Sequence, residues 1–174
     1  MNLRVKLGLA VTAVGVLAIG ITAIAAAHGG HSIRERLTSY REVPALSTPG
    51  VGHFTASINR HADEINYRLS YSGLESDVTQ SHLHFENKTN SGPVVVFLCS
   101  NLGNGPAGTQ ACPPTGGTIT GTIRAADVIA GGAAQGLAAG EFDELVRAIR
   151  NGAVYVNVHS VTRPAGEIRA QLSQ

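Results

Sequence analysis

The chain has no tryptophan, one methionine and two lysines, and charged residues fill only 14% of its 174 positions. Its 13 Lys+Arg against 12 Asp+Glu give a formal net charge of +1 at pH 7. Nucleic-acid binding draws on clustered cations that neutralise phosphates, and a near-neutral chain this poor in lysine does not supply them. A P-loop and a G-x-S-x-G nucleophile elbow are both missing, which removes the motif-based grounds for phosphoryl transfer and α/β-hydrolase chemistry. There is no internal repeat. A hydrophobic content of 43% with little net charge excludes a disordered chain. One domain fits this length, with room for a short tail.

The one long hydrophobic run stands at the start. Arg4 and Lys6 form a short basic segment, Leu7 to Ile24 carries no charge, and Ala25, Ala26 and Ala27 supply the small residues that signal peptidase accepts. This pattern predicts a signal peptide over 1–27, a flexible tail over 28–32 and a folded domain over 33–174. The competing reading is an uncleaved membrane anchor, because 18 uncharged residues reach the lower limit for crossing a bilayer. Either reading puts the domain outside the cytoplasm, in the periplasm or cell envelope, or secreted. Nothing else in the chain asks for membrane contact.

Two cysteines agree with that location. Cys99 and Cys112 bracket a stretch rich in Gly, Asn and Pro that suits neither a helix nor a central strand. In an oxidising compartment such a pair is most simply a disulfide. A two-cysteine metal site is the rival, but its usual spacing is C-x₂₋₄-C, far shorter than this one.

Period-2 alternation recurs through the remaining chain. Phe54, Ala56 and Ile58 share one face of their segment, and Ile65, Tyr67, Leu69 and Tyr71 share one face of the next. Leu83 and Phe85 alternate with His82 and His84, and Val154, Val156 and Val158 alternate with Tyr155, Asn157 and His159. Ile168, Ala170 and Leu172 alternate with Glu167, Arg169 and Gln171. Glu167 and Arg169 therefore share a face and could form an ion pair, structural rather than catalytic. Val94 to Leu98 is continuously apolar and reads as a strand buried on both faces, while Thr118 to Ile123 is rich in β-branched residues. With 33–43 at the front, about eight short strands result. Glu141 to Arg150 breaks the rhythm. Phe142, Leu145, Val146 and Ile149 recur at helical spacing, acidic residues open the segment, Arg147 and Arg150 close it, and Gly152 follows. These elements predict a mainly β fold, an antiparallel Greek-key-like sandwich with one short helix at its side.

Several motifs then resemble those of the CHRD (chordin-type) domain. Glu42-Val-Pro44 with Gly50-x-Gly52, and Tyr67-x-Leu69-x-Tyr71-x-Gly73, are similar to its opening. Ser81-His82-Leu83-His84 followed by Gly92-Pro-Val-Val95 resembles its central signature. Tyr155-x-Asn157-Val-His159 and Pro164-x-Gly166-Glu-Ile-Arg169-x-Gln171 resemble its close. Departures fall at Arg163, where the family pattern has an aromatic residue, and at Ala165 and Ala170, where it has glycine. The resemblance, to a stand-alone bacterial member, implies an extracytoplasmic β-sandwich acting as a binding or structural module. It implies no settled catalytic activity. The expected partner is an unidentified protein or envelope component, not a nucleic acid.

The histidines offer an alternative function. Residues i and i+2 on a strand face the same way, about 6.5–7 Å apart, so His82 and His84 project together. His159 lies opposite the valine face of its own strand, and if the two strands are neighbours all three imidazoles meet on one outer surface. Neutral imidazole is a common ligand for copper and zinc. The H-x-H pattern is also similar to the copper strand of Cu/Zn superoxide dismutases, which would imply redox activity. The bland reading is that these histidines are structural, satisfied by Tyr155, Asn157 or Glu167. A separate copper site could form at a new N-terminus, where the α-amine and ring of His28 chelate an ion with help from His31.

Overall fold

The computed structural model describes residues 31–173. The expected leader and His28 lie outside the described residues. Eight strands form: β1 (His31–Thr38), β2 (Val51–Ile58), β3 (Ile65–Ser72), β4 (Val78–Phe85), β5 (Val94–Ser100), β6 (Gly117–Ile123), β7 (Val154–Ser160) and β8 (Ile168–Gln171). One α-helix, α1 (Phe142–Arg150), precedes β7. Every strand pairing is antiparallel, and the order across the sheet is β5-β4-β7-β8-β1-β2-β3-β6. The mainly β class, the strand count and the lone helix are as the sequence pattern predicts. The two layers of the sandwich are the two halves of one curled, nearly closed sheet.

Alternation sets which side chains enter the core. On β2 and β3, Phe54, Ala56, Ile58, Ile65, Tyr67, Leu69 and Tyr71 are all buried, and the Phe54 and Tyr67 rings stack at 6.1 Å. On β7 the valines face the same core. Helix α1 buries Phe142, Leu145, Val146 and Ile149, with Asp143 and Glu144 in its first turn and Arg147 and Arg150 in its last. Each such large apolar side chain contributes about 1.5–3 kcal/mol, which outweighs the weak propensity of so short a helix.

The sheet would leave two raw edges, β5 and β6. The loop between Cys99 and Cys112, joined by the expected disulfide with Cα atoms 5.1 Å apart, closes the seam. Gln110 Nε2 sits 3.1 Å from Leu98 O on β5 and 3.2 Å from Thr120 O on β6, within reach of one donor for each edge. Tyr67 Oη donates to Leu98 O from inside. Gly103, Gly105 and Gly108 also fall in this loop. Their G-x-G-x-x-G spacing opens no helix and so lacks the βαβ setting that phosphate binding needs.

Three details differ from expectation, and β5 adds a fourth point. β1 begins at His31, so residues 31 and 32 of the expected tail pair with β2. β1 ends at Thr38 and not at Val43, because a 3-10 turn (Ser39–Arg41) and a cis Val43-Pro44 bond follow. β5 is buried on both faces as expected, and as an edge strand it gains part of that cover outside the sheet: Ile129 N–H donates to Val95 O, and the backbone at Gly131 lies against Val94 O. The Glu167–Arg169 pair does not form. Glu167 accepts from Ser160 Oγ and from the Glu75 backbone N–H, while Arg169 lies over the Tyr155 ring.

Candidate metal centre

β4 and β7 are hydrogen-bonded neighbours, with His82 opposite Asn157 and His84 opposite Tyr155. That register brings His82, His84 and His159 together, with one ring nitrogen from each lying within 4.8 Å of the others. They meet on the face away from the valines, as alternation requires. This face is not an open surface, however. His82, His84 and His159 are 2%, 7% and 5% exposed, because loops 41–46, 86–93 and 160–166 fold over it.

Those loops also orient the rings. His84 Nδ1 donates to Gly92 O at 2.8 Å, and His159 Nδ1 donates to Pro164 O at 2.9 Å. A carbonyl only accepts, so both rings carry their proton on Nδ1 and present an Nε2 lone pair inward. Metal-ligating histidines are held in the same way by their outer nitrogen. His82 Nδ1 stands 3.2 Å from His159 Nε2, and His82 Nε2 has no partner. Two nitrogens bound to one zinc ion at about 2.0–2.1 Å and a tetrahedral angle are roughly 3.3 Å apart. The His82–His159 pair is already at that separation.

Burial fixes the charge state. It pushes the His82 ring far below the ordinary histidine pKa, with the neighbouring His159 and His84 adding to the effect. Burial also lowers His84, to about 4, and lowers His159. All three rings are neutral at pH 7, which is the ligating form. Aromatic contacts complete the walls: Phe97 packs edge-on against His82, and Tyr155 stacks flat on His84 at 4.6 Å. Arg169, from the strand on the other side of β7, places its guanidinium carbon 3.4 Å from the Tyr155 ring centre.

The CHRD domain family matches residues 33–172. The chain belongs to the CHRD family. No curated protein and no solved structure matches it. Membership supports a binding or structural module in general terms, and the fold and disulfide agree with it. The disulfide is consistent with an extracytoplasmic CHRD domain, and among the described residues no helix is long and apolar enough to cross a membrane.

Sequence reasoning named the three imidazoles of this CHRD domain, with Tyr155 and Asn157 as neighbours, but missed Glu42, Arg169 and the loop glycines. Glu42 and Arg169 are 7% and 1% exposed on the same covered face, and Gly92 and Gly166 shape the loops. Gly166 has φ +127°, and a Cβ there would lie 2.6 Å from Glu42 Oε1 and 2.7 Å from Asn157 Nδ2. Only glycine lets that loop come so close. The available signal was the family motifs themselves: Glu42, Gly92, Asn157, Gly166 and Arg169 all sit in motifs far apart in sequence, and they converge here. Of the second copper site, His31 opens β1 and His28 lies outside the described residues.

Proposed function

We propose that this chain is an exported CHRD-type binding module of the periplasm or cell envelope, and that what it binds is a copper or zinc ion held by His82, His84 and His159. The observation that carries the reading is the convergence of three buried, neutral imidazoles, two of them steered by backbone carbonyls. Buried polar atoms are normally satisfied, yet the His84 Nε2 lone pair has no donor beside the His82–His159 pair, a position that suits a cation. The basic-hydrophobic-alanine pattern of 1–27 and the disulfide support export. Such a protein holds or hands on the ion and turns over no substrate. A macromolecular partner has less support, because the large exposed apolar side chains among the described residues are Tyr40, Leu102 and Val161, each on a different loop.

The test is a Cu(II) and Zn(II) titration of the exported chain beside a His82→Ala/His84→Ala variant, with copper EPR on both. One equivalent with nitrogen hyperfine structure, lost in the variant, is expected. Copper that survives in the variant and leaves when His28 is removed would move the site to the N-terminus. No stoichiometric metal in the wild-type chain would overturn the reading.

A further inference from the structure

Seven buried side-chain polar atoms among the described residues have no hydrogen-bond partner, and six lie on the covered face of β4, β7 and β8 or against it. They are His82 Nε2, His84 Nε2, Asn157 Oδ1, Glu42 Oε1, Arg169 Nη1 and Gln171 Oε1. Asn157 stands at their centre. It pairs in register with His82 on one side and Arg169 on the other, and it precedes His159 by two residues on the same strand face. Its side chain is 1% exposed.

The amide has a defined direction. Asn157 Nδ2 and Glu42 Oε1 both crowd the position a Cβ on Gly166 would take, so the donor end of the amide is on the carboxyl's side. The acceptor end, Oδ1, is buried without a partner on the strand face that carries His159 and lies opposite His82. An amide oxygen buried beside three imidazoles and lacking any donor is a hard ligand waiting for a cation.

We infer that Asn157 Oδ1 is the fourth ligand of the ion bound by His82, His84 and His159, and that the resulting closed N₃O site holds zinc in a structural role. This rests on the three-histidine reading above. Two observations favour zinc. Four-coordinate tetrahedral sites without an open position are typical of structural zinc. Copper(II) prefers tetragonal sites, in which adjacent nitrogens are about 2.8 Å apart, closer than the His82–His159 pair.

Cobalt(II), a spectroscopic stand-in for zinc, tests the inference in the exported chain. The wild-type protein should show the intense visible absorption of a four-coordinate ion, unmoved by azide. Asn157→Ala opens one position, so its band should weaken and respond to azide, and zinc affinity should fall at least tenfold. Asn157→Asp supplies an oxygen in the same place and should keep an azide-insensitive band. An azide response in the wild-type chain, or an Asn157→Ala spectrum identical to wild type, would overturn the fourth-ligand assignment while leaving the three histidines standing. The wild-type azide measurement needs no variant, so a poorly folding Asn157→Ala does not block the test. Failure of the wild-type chain to take cobalt or zinc would remove the zinc assignment, and failure to take copper as well would remove the three-histidine reading.

Discussion

His82 and His159 are 77 residues apart in sequence, yet their ring nitrogens Nδ1 and Nε2 meet at 3.2 Å across the β4–β7 pairing. Because His159 keeps its proton on Nδ1, the metal-free pair holds together through a proton on His82 Nδ1. An ion placed between them makes His82 carry that proton on Nε2 instead, so both nitrogens present lone pairs and no proton need be released from this pair. Binding to the folded state alone stabilises it by mass action, about 2.7 kcal/mol at a hundredfold excess over Kd. For a domain of this size that corresponds to a rise in Tm of roughly 5–10 °C. Differential scanning fluorimetry with and without zinc should show this rise, EDTA should reverse it, and His159→Ala should abolish it. An unchanged Tm at saturating zinc would contradict the prediction.

Gly166→Ala should destabilise the domain and weaken metal binding together. The backbone there has φ +127°, and the added methyl meets both Glu42 and Asn157. Backbone strain of this kind costs roughly 1–3 kcal/mol, before any displacement of the loop that brings Pro164 O to His159. Gly152→Ala is the control, with φ +66° and no atom within 4 Å of the added Cβ. Urea unfolding should rank Gly166→Ala below Gly152→Ala. The zinc affinity of the control should match wild type.

The elements readable in the sequence were those whose signal is local. Alternation located β2, β3, β7 and β8, and the i, i+3, i+4, i+7 spacing of Phe142, Leu145, Val146 and Ile149 located α1. The histidines were legible for the same reason, since period 2 puts His82 and His84 on one face wherever their strand lies. That His159 joins them depends on β4 pairing with β7, a contact across more than seventy residues that no local pattern encodes. The run Val94–Leu98 reported burial correctly, but it could not show that β5 lies at the sheet edge and gains its burial from loop cover and not from a second flanking strand. Glu167 and Arg169 misled because a shared strand face does not bring two charges together when Ser160 and the Glu75 backbone N–H hold one, and Tyr155 holds the other.

Glu42 should give stability a slope with pH. Burial raises its carboxyl from 4.5 to about 7, against the opposing pull of Arg169, the Val43 backbone N–H and Asn157. The folded chain therefore holds this proton more tightly than the unfolded chain. Its stabilising share is full below about pH 4.5, is lost as pH rises to 7, and stays lost above. Taken at face value the span is on the order of 3 kcal/mol. Arg169 and Tyr155 interact with it electrostatically and neither changes state in that window, while Glu35, Arg41 and Lys88 line the same pocket. The histidines work in the opposite sense, since their lowered pKa values make stability rise with pH below 6.5. Subtracting the Glu42→Gln profile from wild type cancels them. The variant should gain on wild type between pH 5 and 7.5, measured by urea midpoints in EDTA, and a difference flat with pH would contradict the assignment.

Gln110 and the Cys99–Cys112 disulfide should act as a unit at the β5–β6 seam. The disulfide closes a loop with a sequence separation of 13, worth about 3 kcal/mol in the chain-entropy model. Gln110 lies two residues before Cys112, and its amide can reach both Leu98 O and Thr120 O only while that loop is drawn over the seam. Cys99→Ala/Cys112→Ala should therefore cost roughly 2–4 kcal/mol and speed amide exchange along β6, the edge strand that loses its cover. Gln110→Ala should cost about 1 kcal/mol with the disulfide intact and much less without it. Full additivity in that cycle would mean that Gln110 holds the seam without help from the cross-link. The expected coupling makes the loop a latch, whose hold on the two edges weakens when the cysteines are reduced.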